Sequence, residues 1–330
     1  MHAWISPDAA GVQSLRWEAQ NLPEPGPGEA RVRIHAASLN FPDLLIVQGK
    51  YQMRPPLPFV PGAEFSGVVE AVGADVHHLR PGMRVAGFTG TGAFATHACV
   101  SAALLAPLPE AFALDAAAAF ICTYATSQHA LMDRAQLQAG ETVLVLGAAG
   151  GVGTAALQLA KAAGATVIAT ASSAAKCQRC LALGADHSID LSQQDLRATL
   201  KGLTGGRGPD VVYDPVGGEL SEAAFRSIAW RGRHLVVGFA QGQIPALPLN
   251  LCLLKGASLV GVFWGEFAKR EPQKNAAMMA ELVRLHLAGH IAPVIDQRLA
   301  MHELPAAFAR LQSRQVVGKI LLVNEGNAMP

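Results

Sequence analysis

Between Thr142 and Gly153 the chain reads Thr-Val-Leu-Val-Leu-Gly-Ala-Ala-Gly-Gly-Val-Gly, an apolar run that ends in glycines. The run has the length and apolarity of a buried strand, and Gly153 to Ala163 carries the pattern of a helix. A strand that passes through glycines into a helix is the setting for a dinucleotide's pyrophosphate. Glycines let the backbone approach the phosphates closely, and the helix start offers unpaired amides and the positive end of its dipole. Gly147, Ala149, Gly150, Gly151 and Val152 form the candidate cradle. About twenty residues further on, at the end of the next apolar run, a carboxylate that binds the ribose 2′-hydroxyl marks NAD preference. This chain has Ala171, Ser172, Ser173 and Lys176 there. Hydroxyls and an ammonium bind a 2′-phosphate where a carboxylate repels it, so the segment points to NADPH. The competing reading keeps Lys176 as a solvated helix residue.

The elements that must position this cradle follow from the rest of the chain. At 330 residues the sequence exceeds the usual size of one core, so two domains are expected. With 51% hydrophobic and 15% charged residues it is a globular chain and not a disordered one. A formal net charge of +1 with scattered basic residues argues against a nucleic-acid or membrane-surface partner and for a small-molecule one. The opening MHAWISPDAAG lacks the pattern of an export signal, and no apolar run reaches spanning length, so a cytoplasmic location is expected. Five scattered cysteines fit reduced thiols. Cys177 and Cys180 form a CxxC in an expected helix without a second pair, which is weak support for a metal.

Over the first hundred or so residues, short strands are expected at Arg31 to Ala36, Ala63 to Ala71, Arg84 to Ala86 and Ala93 to Cys99. An Ala-rich helical stretch begins at Leu114. After Gly140, apolar strands at Thr142 to Leu146, Thr166 to Thr170, Val211 to Tyr213, His234 to Val237 and Ser258 to Val262 alternate with helices. That alternation is the pattern of an α/β doubly wound parallel sheet. The tail from Ile291 to Val323 returns to short strands around one helix and is expected to rejoin the first domain.

Taken together, Ala37 to Asp43 (ASLNFPD), Pro55 to Val69 (PPLPFVPGAEFSGVV), the glycine turn, Val211 to Gly218 (VVYDPVGG) and Val317-Gly-Lys319 resemble the quinone oxidoreductase branch of the medium-chain dehydrogenase/reductase superfamily, the branch containing zeta-crystallin. The resemblance covers nearly the whole chain. It implies a GroES-like β-rich catalytic domain over residues 1–119 and 263–330, a Rossmann domain over residues 120–262, and an active site in the cleft between them. Zinc alcohol dehydrogenases of the superfamily carry a cysteine ligand where this chain has Asn40, and Gly-His-Glu where it has Gly62, Ala63 and Glu64. Cys122 lies near the third ligand position and is insufficient alone, because such sites use three protein ligands. Ala86 to Phe94 lacks the cysteines of the structural zinc lobe. No metal is expected.

Without a Lewis acid an isolated ketone is a poor hydride acceptor, whereas a quinone or enone spreads the developing charge. An NADPH-dependent reductase of conjugated carbonyls is therefore the leading expectation. Acyl-thioester or haloacrylate reduction is an alternative, and a noncatalytic NADPH- or RNA-binding protein is one of another class. The resemblance places Asn40, Asp43 and Tyr51 near nicotinamide and substrate as hydrogen-bonding or proton-donating groups; the plainer reading makes them a turn residue, a helix N-cap and a packed aromatic. It also implies cofactor contacts at Thr123 and Thr126, with helix-buried threonines as the alternative, and at Arg314, with a surface arginine as the alternative; Phe239, past the strand end where ligands of a parallel sheet gather, and Phe263 and Trp264 at the cleft are further candidates. Leu45 and Leu191 replace tyrosines of some relatives and make the pocket more apolar, while Asp214 reads as structural. Finally, GASLVGVFW is the last apolar strand of the sheet, and an unpaired apolar edge is a hazard that homodimer pairing removes.

Overall fold

The computed structural model describes residues 1–324. They form two compact units, one from Met1–Cys122 together with residues 293–324, the other Thr123–Ala292.

The first unit is β-rich. A short ribbon pairs β1 (His2–Ile5) with β2 (Arg16–Ala19). The long strand β3 (Glu29–Ser38) follows, then α1 (Phe41–Val47), β4 (Glu64–Val72), β5 (Arg84–Phe88), β6 (His97–Ser101), β7 (Leu105–Pro107) and α2 (Leu114–Ala118). Along β3, Ala30, Val32 and Ile34 are buried while Arg31, Arg33 and His35 alternate with them, the period of a strand with one face on the core. The alternation stops at Ala36, and the last three residues are all buried.

The chain enters the second unit within α3 (Ile121–Gln128). There follow β8 (Thr142–Val145), α4 (Gly151–Ala162), β9 (Thr166–Ala171), α5 (Ala174–Ala182), β10 (His187–Asp190), α6 (Leu196–Leu203), β11 (Val211–Asp214), α7 (Gly218–Ser227), β12 (Arg233–Val236), α8 (Asn250–Lys255), β13 (Ser258–Gly261), α9 (Trp264–Arg270) and α10 (Pro272–Leu287). The six strands are parallel in the order β10-β9-β8-β11-β12-β13. Every residue of β8 and β11 is buried, as central strands covered on both faces require. Winding reverses between β8 and β11, and the glycine turn follows β8 at that switch point, where ligands of such sheets gather.

The tail supplies β14 (Ile295–Ala300), α11 (Leu304–Gln312) and β15 (Lys319–Val323). β15 pairs antiparallel with β3, completing the sheet order β14-β15-β3-β4-β5-β7 with β6 also on β3. No helix among the described residues is long and apolar enough to cross a membrane.

Three expectations need correction. The sheet has a strand at β10 that its short, polar sequence HSID did not announce. The strand expected from Ala93 begins only at His97. The second unit continues to Ala292, so residues 263–292 leave the span expected for the first, and the boundary near 120 moves to Thr123. The reason is packing: Phe267 of α9 stacks on His129 with ring centroids 4.3 Å apart, and the Trp264 indole donates to Asn275 of α10. Residues 325–330 of the expected span lie outside the described residues.

Candidate functional site

Three strands of the first unit converge on a buried polar cluster. Register sets Ser38 opposite Glu64 and Leu321 opposite Ser38, while the Leu39 N–H donates to the Ile320 carbonyl. The start of β15, the end of β3 and the start of β4 therefore meet. At that meeting point the Lys319 ammonium donates to Asn40 Oδ1 and to Glu64 Oε1, the latter at 3.0 Å. Glu64 Oε1 also accepts from Asn40 Nδ2 at 3.1 Å and from Ser38 Oγ, and its Oε2 accepts from the Cys122 N–H at 2.8 Å. Ser38, Asn40, Glu64 and Lys319 are all at most 5% exposed. An ion pair this deep is tolerable only because charge-assisted hydrogen bonds replace the lost water around it.

Asn40 is the N-cap of α1, and Asp43 is the third residue of that helix. The Asn40 N–H donates to Asp43 Oδ2 at 2.8 Å, so Asp43 is not itself the cap that the plainer reading made it. Asp43 Oδ1 is buried with no hydrogen-bond partner. Burial pushes the Asp43 carboxyl up to about 7, against the opposing pull of the Asn40 N–H and the Lys319 charge. Tyr51 is half-buried, and burial first, then the Cys122 and Asp43 side chains, raise its phenol. Burial, reinforced by Glu64, raises the Cys122 thiol and keeps it protonated.

The structure brings Asn40, Asp43 and Tyr51 close to one another, in different surroundings. Asn40 has both ends of its amide engaged, by Lys319 on one side and by Glu64 and the Ser38 carbonyl on the other. These hydrogen bonds tie Asn40 to Glu64 and to the start of α1. Asp43, Tyr51 and Cys122 are the members that combine a shifted proton affinity with incomplete burial or an unpartnered oxygen. Among the described residues no group of three or more His, Cys, Asp or Glu side chains is arranged to hold a metal ion.

Lys319, Glu64 and Ser38 were not singled out for any role from the sequence. A usable signal was there, because Lys319 opens the otherwise apolar strand KILLV, and a cation in such a strand needs a buried partner.

In the second unit the glycine turn sets the start of α4 close against the end of β8. Gly147 has φ 58°, and Gly150 caps α4. A Cβ on Gly153 would lie 2.3 Å from the Gly147 carbonyl oxygen, so only glycine lets the helix start this close to the turn. Ala149 is buried beneath the turn, and Gly151 and Val152 form the first turn of α4. At the end of β9, Ser172 is exposed, and Ser173 Oγ accepts from the Lys176 N–H at 3.4 Å as the N-cap of α5. Ser172 and Lys176 thus flank the same helix start, with no carboxylate at Ala171. In α3, Thr123 is buried and Thr126 half-buried.

Phe239 follows β12 and Phe263 is 53% exposed after β13, both past the carboxyl ends of the sheet strands. Trp264 departs from expectation: it is buried and its indole N–H is taken by Asn275, so it packs α9 on α10. Arg314 is exposed in the first unit, with φ 56° just after α11. Asp214 accepts from the Val216 and Gly217 amides, from Ser221 Oγ and from His234 Nε2, which fixes the turn after β11.

Comparison with known proteins agrees with this architecture. An alcohol dehydrogenase GroES-like domain model matches residues 26–110, and a zinc-binding dehydrogenase model matches residues 151–283. Quinone oxidoreductase-like protein 2 of Rattus norvegicus is 38% identical over 97% of this chain and 96% of its own length. Quinone oxidoreductase of Pseudomonas aeruginosa is 36% identical over 95% and 96%. The crystal structure of Escherichia coli quinone oxidoreductase complexed with NADPH superposes with a TM-score of 0.89 at 29% identity, covering 98% of this chain and all of that one.

Proposed function

Because the chain belongs to the quinone oxidoreductase branch of the medium-chain dehydrogenase/reductase superfamily, we propose that it is an NADPH-dependent reductase of a quinone or another conjugated carbonyl, working without zinc. The observation that carries this reading is the Lys319–Glu64–Asn40 cluster. It sets an ammonium and its hydrogen-bond partners among the positions where zinc relatives present ligands.

The residues present fit the cofactor. Gly153 lets α4 start close against the turn at Gly147 and Gly150, where free amides of a helix start suit a pyrophosphate, and Ser172 and Lys176 suit a 2′-phosphate. When bound, NADPH supplies the hydride. Everything else falls to the chain's own groups. A quinone or enone delocalises the charge it gains, so hydrogen-bond donors and a proton source suffice where an isolated ketone needs a Lewis acid. Asp43, close to half-protonated at neutral pH, and Tyr51, whose phenol stays protonated, are the proton-holding groups of the cluster. Lys319 and Glu64 hold Asn40 and α1, and through α1 the position of Asp43. The protein further assembles as a homodimer through β13, which ends the sheet with Leu259 partly exposed.

NADPH consumption with a quinone, an enone and an isolated ketone, each with a chelator present, tests this. Turnover of the conjugated acceptors alone, unchanged by chelation, is expected. Ketone turnover that the chelator abolishes would establish a zinc alcohol dehydrogenase. Tight NADPH binding with no turnover of any acceptor would establish a noncatalytic protein.

A further inference from the structure

The strand ends opposite the glycine turn carry a second feature. Arg207, in the loop that leads into β11, donates to Thr142 Oγ1 at the first residue of β8, whereas Gly147 follows the other end of that strand. Here α6, α7 and α8 all finish, and between them lies a depression of about 420 Å³. Its charged lining is Arg197, Lys201, Arg207, Arg226 and Lys255, with Asp195 as the one carboxylate.

The cations outnumber what the surroundings neutralise. Arg207 pairs with Asp210 and Arg226 with Glu222. Arg197 and Lys201 form no ion pair among the described residues, and Lys255 donates only to the Ile228 carbonyl. Asp195 is occupied as the N-cap of α6, accepting from the Ala198 N–H at 2.7 Å. Burial first, and then the Arg197 charge, lower the proton affinity of Lys255.

Helix dipoles explain part of this, since Lys201, Arg226 and Lys255 sit in the last turns of their helices, where positive charge is favoured. They do not explain Arg197. It lies in the first turn of α6, where a cation is disfavoured, and one turn before Lys201, an unfavourable like-charge pair. In a chain of net charge +1, three unneutralised cations around one hollow are a local arrangement and not a bulk property. The volume falls in the range of small-molecule pockets, roughly 300–1,000 Å³, and exceeds the needs of one phosphate.

We propose that this depression binds a small oligophosphate, at a site separate from the dinucleotide turn. Arg and Lys at its rim provide charge-assisted hydrogen bonds to several phosphate oxygens at once. A triphosphate group reaches it free or as the tail of a nucleotide. The site does not rest on the reductase reading.

Calorimetric titration of the full chain with inorganic triphosphate, a nucleoside triphosphate and inorganic monophosphate tests the proposal. Saturable binding of inorganic triphosphate is expected, at least tenfold weaker in Arg197→Gln/Lys201→Gln and unaffected by saturating NADPH. Both side chains are exposed, and an unchanged unfolding midpoint together with unchanged NADPH affinity verifies that the variant folds. Tighter binding of the nucleotide than of triphosphate assigns the tail; equal binding assigns the free ion. Absence of triphosphate binding, binding that NADPH displaces, equal binding by the double variant, or monophosphate binding as tight as triphosphate overturns the site.

Discussion

The ammonium of Lys319 lies 3.0 Å from the carboxylate of Glu64, with 5% and 1% of the two side chains exposed. Removing one partner of such a pair strands the other in the interior, at a cost of about 3–5 kcal/mol. Lys319→Met should destabilise the protein by that order. Combining it with Glu64→Gln should recover a large part, because the stranded charge is gone. Urea unfolding of the two single variants and the double variant measures the coupling; strictly additive losses would show that the pair does not act as a unit.

Asp43 gives stability a pH dependence. Its carboxyl rises from an ordinary 3.8 to about 7 in the fold, chiefly through burial. Between those values the folded chain holds a proton that the unfolded chain has lost. The contribution is therefore complete below the unfolded value and is lost as pH climbs through 7. A gap of that size is on the order of 4 kcal/mol. Asp43→Asn keeps an oxygen for the Asn40 N–H and cannot ionise, so its unfolding free energy should stay flatter from pH ~4 to ~7. Parallel curves for the two proteins across that window would contradict the assignment.

Lys176 provides a test of cofactor choice. Lys176→Ala should weaken NADPH binding by about tenfold to a hundredfold, the size of one charge-assisted hydrogen bond, and leave NADH nearly unchanged. Fluorescence titration with both nucleotides reads the difference. An equal loss for both would place Lys176 away from the 2′-phosphate.

Assembly can be tested at the sheet edge. Val260 pairs with Leu235 in the middle of β13, and proline there removes a backbone donor within the strand. If β13 pairs across a two-fold axis, light scattering at micromolar concentration should find a dimer for the unmodified protein and a monomer for Val260→Pro. A stable monomer for the unmodified chain defeats the proposal.

What the sequence disclosed and what it hid divide along sequence distance. The glycine turn was legible because strand, glycines and helix are contiguous, and their spacing alone implies a phosphate cradle. The end of β9 at Ala171 was legible for the same reason, as the close of one contiguous apolar run. The Lys319 cluster was not, since its hydrogen bonds to Glu64 and Asn40 span 255 and 279 residues. Only the pairing of β15 with β3 reveals that these groups meet. The same limit explains Trp264 and the late domain boundary, because the pattern of α9 and α10 shows an apolar stripe without saying which core takes it. Asn40 is the instructive case: its position was found from a motif, but the sequence alone did not show that its amide is already satisfied.

The order in which this chain is translated follows from the placement of Lys319. A ribosome adds it 255 residues after Glu64, and at ~5–20 residues per second that is a delay of roughly 13 to 50 s. Throughout that interval the nascent chain holds Glu64 without its cation, and the Ser38 end of β3 with β4 on one side and no β15 on the other. The first unit cannot mature as it emerges; it waits for the tail. A product cut short before Lys319 keeps its polar cluster unassembled, with an open strand edge for chaperones and proteases to recognise.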